Sequence, residues 1–206
     1  MIFDVAIALM ARAPEPGMAK TRLIPELGAT GAAQMHAILT RRALAAIAAT
    51  GMRGALWCDP GPDHPFFAEC AKDYHVALHA QCEGDLGVRM HDIFLRTQRP
   101  VLLMGADCPA ISAPLLHICA QNLGRYPAVF LPTVDGGYGL VALERPVPEI
   151  FVDMPWGADN VMALTRARLA KLGLAWAEPA EIWDIDTPAD LARLAALDIP
   201  IPPYQD

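Results

Sequence analysis

The sequence has no closely spaced cysteine pair, no excess of basic residues and no long hydrophobic run. Its five cysteines include no Cys-x-x-Cys pair, which argues against a disulfide framework or a structural zinc site and favours a reducing cytoplasm. The net charge of −7 disfavours a general nucleic-acid binder, which needs a basic surface. No segment approaches the roughly 20 apolar residues that span a membrane, and the N-terminus lacks the pattern of a secretory signal. We therefore expect a cytoplasmic protein with no nucleic-acid or membrane partner.

Three well-known catalytic sequence patterns are also missing. The chain contains neither a Walker A loop nor a Gly-x-Gly-x-x-Gly turn, so P-loop NTPases and dinucleotide dehydrogenases lose support. It has no Gly-x-Ser-x-Gly elbow, so a serine hydrolase is not supported either. What is present is a globular composition, with 54% hydrophobic and 19% charged residues among 206, which is enough to bury a substantial core.

Hydrophobic periodicity predicts strands that alternate with helices along the whole chain. Strands are predicted at 5–10, 54–58, 76–80, 101–104, 128–131, 140–143 and 182–185. Helices are predicted at 31–49, 63–71 (with Asp63 as N-cap), 87–95, 112–123, 160–172 and 189–197. This order indicates one α/β domain with a mostly parallel sheet, over residues 1–198. The tail 199–206, with three prolines, could wrap the domain or a neighbour or be loose.

The loop after the first predicted strand concentrates positive charge between shaping residues. Arg12, Lys20 and Arg22 share it with Pro14 and Gly17. Arginine forks and a lysine point charge suit a diphosphate. A solvated basic loop is an equally good interpretation of this composition.

Two aspartates follow predicted strands, where ligands of parallel sheets bind. Asp107 comes directly after a buried strand, and Asp186 precedes a helix that Thr187 and Pro188 begin. Carboxylates placed there suit Mg²⁺ or Mn²⁺ bridging to phosphates, although Asp107 could equally be a turn or capping residue. Asp184 lies on the strand and could face either way, and Asp190 is expected to support the first helical turn.

Two glycine-rich turns are the remaining candidates. The segment 135–139 is an ordinary hairpin signal, but it also allows Asp135 or Tyr138 to contact a substrate beside the bare backbone of Gly136 and Gly137. The segment 83–90 is either a plain strand-to-helix turn capped by Asp85 or a site that presents amides and Arg89 to a nucleotide.

Taken in order, these segments resemble a known family across residues 5–197. The motifs are Arg12-x-Pro14-x-x-Gly17-x-x-Lys20-Thr21-Arg22-Leu23, Gly84-Asp85-Leu86-Gly87-x-Arg89-Met90, Gly105-x-Asp107-Cys108-Pro109, Asp135-Gly136-Gly137-Tyr138, Trp156-Gly157 and Asp186-Thr187-Pro188. They are similar to those of a small bacterial glycosyltransferase-like family, often labelled arsenosugar-biosynthesis glycosyltransferase. It belongs to the nucleotide-diphospho-sugar transferase (GT-A) superfamily, which also includes the molybdenum-cofactor and phospholactate guanylyltransferases.

The resemblance implies a single-domain, Rossmann-like GT-A fold with three layers. It implies a nucleotide/diphosphate site formed by Arg12, Pro14, Gly17, Lys20, Arg22, Gly84, Asp85 and Arg89. The substrate side would be formed by Gly136, Gly137, Tyr138 and Trp156. Asp107, Asp135 and Asp159 would be catalytic, and Asp107 with Asp186 would hold Mg²⁺ or Mn²⁺. The usual Thr after Trp-Gly is replaced by Ala158, which bears on the choice of acceptor.

Three functions follow as hypotheses. The first is metal-dependent transfer of a sugar from a nucleotide-diphosphate sugar to a small-molecule acceptor, with nucleoside diphosphate released. The second is a nucleotidyltransferase, guanylyl- or cytidylyltransferase-like, that releases pyrophosphate from a nucleoside triphosphate. The third is a nucleotide-binding module without catalysis, disfavoured by the intact pair Asp107 and Asp186. Base, sugar, acceptor, preferred metal and oligomeric state are left open.

Overall fold

The fold is given by a computed structural model that describes residues 4–206. Its strands are β1 Ala6–Arg12, β2 Arg53–Asp59, β3 Ala77–Ala80, β4 Val101–Gly105, β5 Ala128–Pro132, β6 Tyr138–Leu143 and β7 Trp176–Ala177. Its α-helices are α1 Ile24–Ala49, α2 Pro65–Tyr74, α3 Leu86–Thr97, α4 Ala113–Leu123, α5 Val161–Lys171 and α6 Pro188–Leu191. Short 3₁₀ helices lie at Thr21–Leu23, Pro148–Ile150 and Ala192–Leu197. Within residues 4–206, no helix has both the length and the apolar content needed to cross a membrane.

The strands form one sheet in the order β3-β2-β1-β4-β6-β5-β7. Strand β6 is antiparallel to both of its neighbours, while every other neighbouring pair is parallel. The prediction of a mostly parallel α/β sheet is confirmed. The reversed strand arises because β5 and β6 are joined by the short turn 133–137, which can connect only antiparallel strands.

Helices cover both faces of the sheet, which confirms the predicted three layers. In β1, Ile7 and Leu9 point to one face and pack in the cluster that includes apolar residues of α1, α2 and α4. Ala8 points to the other face and packs with apolar residues of α3 and α5. Because strand side chains alternate between faces, a strand buried on both sides is apolar over its buried length, as β1 is up to Ala11 and β4 is throughout.

The predicted strand 182–185 is wrong. Ile182 forms a single parallel bridge with Thr133, and the amide of Ile185 then donates to the carbonyl of Asp107, 2.9 Å away. The segment therefore passes from the end of β5 to the end of β4, across the carboxyl edge of the sheet, because its hydrogen-bond partners belong to different strands. The strand beside β5 is instead the short β7, which the sequence analysis missed.

Two helix starts also differ from prediction. Helix α2 begins at Pro65, and His64 caps it by accepting the amide proton of Phe66 at Nδ1, so Asp63 is not the N-cap. The reason is that a residue before proline is disfavoured in helical conformation. Helix α1 begins at Ile24 rather than at residue 31, with a break at Gly28, whose φ of 72° and ψ of 170° are not helical.

The tail 199–206 packs on its own domain. The Gln205 amide donates to the Leu27 carbonyl, and the Gln205 carbonyl accepts from Thr30 and, more weakly, from Gly31. These bonds bridge the break at Gly28, where the helix cannot complete its own hydrogen-bond pattern. The tail is therefore packed rather than loose. The domain boundary at residue 198 stays a prediction.

Candidate active site

A cavity of about 450 Å³ opens at the carboxyl ends of β1, β2 and β4. This volume is in the range of small-molecule sites, and the position is where parallel sheets bind ligands. The polar side chains that line it are Arg12, His36, Asp59, Gln81, Asp107, Cys108, Thr133, Asp135, Tyr138, Trp156 and Asp184. The apolar side chains include Met10, Leu86, Met90, Leu103, Leu140, Val141 and Val161.

Lys20 provides a buried positive charge beside this cavity. Its backbone is left-handed, with φ of 51°, and its side chain is only 5% exposed. The ammonium Nζ lies 2.7 Å from Oδ1 of Asp107 and donates to the carbonyl of Ile185 at 2.5 Å. Such a backbone is uncommon outside glycine and clusters at functional sites. The structure therefore brings Lys20 of the first loop against Asp107, the aspartate after β4.

His36, which the sequence analysis missed, lies on the same side of the cavity. Its Nε2 lies 2.9 Å from the carbonyl oxygen of Arg12, and its Nδ1 lies 3.8 Å from Oδ1 of Asp107. Burial is the largest influence on the imidazole and lowers its pKa, which favours the neutral form. The available signal was a polar residue on the apolar face of α1, next to Met35 and one turn from Leu39.

Two arginines share the carboxylate of Asp59. Asp59, at the end of β2, accepts from Nε of Arg12 at 3.3 Å and from a guanidinium nitrogen of Arg89 at 3.1 Å. Because one carboxylate faces two guanidinium groups, this cluster keeps a net positive charge. Arg12 and Asp59 line the cavity, whereas Arg89 lies outside the lining. Asp59 belongs to no motif in the sequence. Its position follows only from the parallel register of β1 and β2, which places it opposite Arg12.

Two further carboxylates line the cavity wall formed by the β5–β6 turn and the crossing segment. Asp135 organises the turn, because its Oδ1 accepts from the Thr133 hydroxyl at 2.5 Å and from the Gly137 amide at 3.1 Å. Asp184, left open by the sequence, lines the cavity. Burial and then the negative charge of Asp135 raise the pKa of Asp184.

Asp186, by contrast, pairs with the guanidinium of Arg22. Neither side chain belongs to the cavity lining, although the backbone of Ile185 next to Asp186 contacts Asp107. The Asp190 carboxylate accepts from the Thr187 amide at 2.8 Å, which confirms the predicted support of the first turn of α6. The role of Asp186 as a metal ligand and that of Arg22 toward phosphate stay predictions.

An aromatic wall closes the side of the cavity near β6. Tyr138 and Trp156 meet edge to face with ring centroids 6.4 Å apart, and both line the cavity. The Tyr138 hydroxyl is buried and has no hydrogen-bond partner among residues 4–206. Burial raises the pKa of Tyr138, so this hydroxyl keeps its proton and can donate to a ligand.

The other predicted residues support the site from outside the lining. Asp85 caps α3 by accepting from the Val88 amide, and the Gly84 carbonyl accepts from Nε of Arg89. Gly136 has φ of 90°, and a Cβ there would lie 1.7 Å from the carbonyl oxygen of Asp159, so only glycine fits. The lining includes Ala158 but not Asp159.

Pro14 and Gly17 shape the first loop. Gly17 has φ of 77°, and the loop is held through Glu15, whose carbonyl accepts from Met18 and Ala19. The carboxylate of Glu15 also lies 2.7 Å from Nε2 of His64. These contacts place Lys20 without requiring Pro14 or Gly17 to touch the cavity.

The donor set supplies at most two side-chain ligands to a divalent cation, so water or substrate oxygens would complete its coordination. Within residues 4–206, no three side chains of His, Cys, Asp or Glu are arranged to hold a metal ion. Mg²⁺ commonly binds through one or two carboxylates plus substrate phosphates and water. The carboxylate of Asp107 and the unpartnered Nδ1 of His36 are consistent with this kind of partial site.

Comparison with known proteins identifies the family of the chain. A family described as uncharacterized protein conserved in bacteria, DUF2064, matches residues 42–158. The chain belongs to the DUF2064 family. No curated protein matches the sequence.

Solved structures extend the comparison to the whole fold. A candidate nucleotide-diphospho-sugar transferase from Desulfovibrio desulfuricans G20 is 26% identical, with a TM-score of 0.82, over 90% of this chain and 83% of that one. A CMP:2-keto-3-deoxy-manno-octonic acid synthetase in complex with CTP is 16% identical, with a TM-score of 0.57, over 94% of this chain and 97% of that one. A 4-diphosphocytidyl-2C-methyl-D-erythritol synthase from Anaerococcus prevotii is 12% identical, with a TM-score of 0.60, over 94% and 98%. This DUF2064 chain therefore has the fold of the nucleotide-diphospho-sugar transferase superfamily.

Proposed function

We propose that this DUF2064 protein is a nucleotide-binding transferase that moves a sugar from a nucleoside-diphosphate sugar to a small-molecule acceptor. The observation that carries the proposal is the pairing of Lys20 with Asp107 at the cavity, beside the arginine pair on Asp59. The likeness to the Desulfovibrio desulfuricans transferase supports the transferase class.

The diphosphate is assigned to the cationic groups at and beside the cavity. Arg12 and Arg89 bring guanidinium groups that match phosphate oxygens, and Lys20 adds a point charge. In the reaction, an acceptor oxygen bonds to the anomeric carbon as the bond from that carbon to the diphosphate oxygen breaks. Negative charge then develops on the departing nucleoside diphosphate, and cations fixed beforehand stabilise it.

A divalent cation, Mg²⁺ or Mn²⁺, is proposed at Asp107, next to these cationic groups. Asp107 would hold it together with phosphate oxygens and water, and Asp186 is the proposed second carboxylate. When bound, the cation would neutralise phosphate charge as a Lewis acid. Asp107 would at the same time keep Lys20 within reach of the leaving group.

The acceptor is assigned to the side of the cavity near β6. The proton of the acceptor hydroxyl needs a base, and Asp135 and Asp184 are carboxylates that line the cavity. We place the base there rather than at Asp159, which the lining does not include. Tyr138, Trp156 and the bare backbone of Gly137 would position the acceptor or the sugar.

Nucleotidyl transfer is the second candidate, because several neighbours in the fold comparison are cytidylyltransferases by name. The same cations would then stabilise pyrophosphate leaving a nucleoside triphosphate. Product identity separates the two reactions. Nucleoside diphosphate as the product supports sugar transfer, pyrophosphate supports nucleotidyl transfer, and neither product with any nucleotide contradicts both.

A ligand screen tests the nucleotide site before any acceptor is known. Melting temperatures would be recorded with nucleotide sugars and nucleoside triphosphates, each with and without Mn²⁺. A ligand at 100 times its Kd stabilises a protein by about 2.7 kcal/mol, which shifts the melting temperature measurably. A Mn²⁺-dependent shift with one nucleotide sugar, and little with its triphosphate, is the expected outcome.

The Asp107→Asn variant should lose this Mn²⁺-dependent shift, because the amide keeps the shape of the side chain but removes the charge that faces the cation and Lys20. Asp73→Asn is the matched control, since Asp73 only pairs with Arg41 at the surface. Circular dichroism would check that both variants are folded. An unchanged shift in Asp107→Asn removes Asp107 from the site.

A further inference from the structure

His36 has one proton, and its position can be assigned. A carbonyl oxygen only accepts hydrogen bonds, so Nε2, which lies 2.9 Å from the Arg12 carbonyl, must be the nitrogen that donates. In this tautomer Nδ1 carries a lone pair.

That lone pair has no protein partner. The His36 side chain is only 8% exposed, and Nδ1 is buried with no hydrogen-bond partner among residues 4–206. Nδ1 lies 3.8 Å from Oδ1 of Asp107. This distance is too long for a hydrogen bond, and both atoms are acceptors, so neither can donate to the other. Both residues line the cavity. Lys20 already faces Oδ1 of Asp107 at 2.7 Å, so Nδ1 of His36 is the atom left without a partner in the described part of the chain. A buried polar atom in that state calls for a cation or a proton donor.

We propose that Nδ1 of His36 and the Asp107 carboxylate together ligate one divalent cation, and that His36 makes the site prefer Mn²⁺ to Mg²⁺. The proposal rests on the proposed function and deepens it, because it adds a nitrogen ligand and a class of metal to that site. Imidazole suits first-row transition metals, whereas Mg²⁺ prefers oxygen ligands and near-ideal octahedral geometry.

The surroundings of His36 match those of known metal-ligating histidines. Such a histidine usually donates its other ring N–H to a carboxylate or a backbone carbonyl, which fixes both the tautomer and the ring orientation. The Arg12 carbonyl does this for His36. Lys20 does not block the site, because a carboxylate offers about four lone-pair positions and the ammonium also has the Ile185 carbonyl as a partner.

Metal binding without any nucleotide tests the proposal. Mn²⁺ would be titrated into the whole protein, and free Mn²⁺ would be followed by its electron paramagnetic resonance signal, with Mg²⁺ as the competitor. His36→Gln is the informative variant, since the glutamine amide can reach the position of Nε2 and keep the bond to Arg12 while Nδ1 is removed. We expect Mn²⁺ affinity to fall by roughly tenfold or more, because even the loss of an outer partner costs 10–100-fold.

Two controls separate ligation from a general change of structure. His117→Gln removes an exposed histidine on α4 and should leave Mn²⁺ affinity unchanged. His36→Asn places an oxygen near the position of Nδ1 and should narrow the preference for Mn²⁺ over Mg²⁺. Thermal unfolding of each variant without metal reports whether the fold is kept.

A spectroscopic measurement tests the proposed bond between Mn²⁺ and Nδ1 of His36. Electron spin echo modulation of bound Mn²⁺ should show coupling to a directly bound ¹⁴N nucleus in the wild-type protein and none in His36→Gln. Absence of Mn²⁺ binding, absence of the ¹⁴N coupling, or equal Mn²⁺ affinity in wild type and His36→Gln overturns the proposal. Failure of the transferase function would instead appear as missing products while this Mn²⁺ binding persists.

Discussion

Lys20 shows how strongly one side chain of this site depends on another. A buried ammonium is tolerated only when partners replace the water it loses, and the partners here are the carboxylate of Asp107 and the carbonyl of Ile185. The Asp107 side chain is 46% exposed, so although its Oδ1 is buried, water reaches the rest of the carboxylate. Loss of the Asp107 charge should therefore cost more stability than loss of the Lys20 charge.

We predict that Asp107→Asn destabilises the protein by about 1–3 kcal/mol, since it leaves a buried ammonium without its charged partner. Lys20→Met should cost less, because solvent can still hydrate Asp107. The double variant should be more stable than the two single effects added together predict, with a coupling of roughly 0.5–3 kcal/mol. Urea unfolding at neutral pH measures all three, and additive effects would show that the two charges do not interact.

The break in α1 couples the end of the chain to the loop that carries Lys20. Gly28 interrupts the helix one turn after its start, and Gln205 occupies the break with hydrogen bonds to Leu27 and Thr30. A Cβ on Gly28 would lie 2.0 Å from the Gln205 carbonyl oxygen. Leu23 and Leu27 also pack in one cluster with Ile199. The tail is thus part of what holds the first turns of α1 in place.

Gly28→Ala should destabilise the full chain by more than it destabilises a chain that ends at Pro202. In the full chain the new Cβ meets Gln205, whereas the shortened chain retains only the backbone strain of a positive φ, roughly 1–3 kcal/mol. Thermal unfolding of the four proteins gives the difference. Gly51→Ala is the control, because Gly51 also has a positive φ of 69° but no atom within 4 Å of the added Cβ, so its cost should be equal in both chains.

Most thiols of this protein are buried between the helices and the sheet. All five cysteines are free, and only Cys82 is partly exposed. Burial raises the pKa of Cys70 to about 11 and raises that of Cys108, whose sulfur would lie 2.4 Å from a Cβ at Gly139. A buried thiol with a raised pKa is a poor nucleophile, so the position of Cys108 beside Asp107 does not make it a catalytic group.

We expect a thiol reagent to label the native protein rapidly at Cys82 alone and the denatured protein at all five cysteines. Peptide mass spectrometry identifies the labelled positions. Cys82→Ser should remove the rapid phase, and Cys119→Ser should leave it unchanged because Cys119 lies on the buried face of α4. Rapid labelling of Cys108 in the folded protein would contradict the packing described here.

The order of strands and helices, the parallel sheet and the edge that carries the site could be predicted from local patterns. Apolar runs of strand length, helical periods and capping residues such as Asp85 act within a few neighbours, so each leaves a signal in a short window. The polar residues after β1 and β4 were identified for the same reason. The segment 182–185 shows the limit, since an extended apolar segment has the same pattern whether it joins a strand or crosses the sheet edge.

The composition of the site was decided by the tertiary structure. Asp184 lines the cavity while Asp186 pairs with Arg22, and His36 and Asp59 belong to the lining although no motif contains them. Each of these positions depends on contacts between segments far apart in the chain, such as those between β1 and β2 or between Ile185 and Asp107. The sequence alone could determine which strand ends carry charged groups. Only packing of the layers could determine which of those groups face one another, because side-chain direction at a strand end depends on the neighbouring segments.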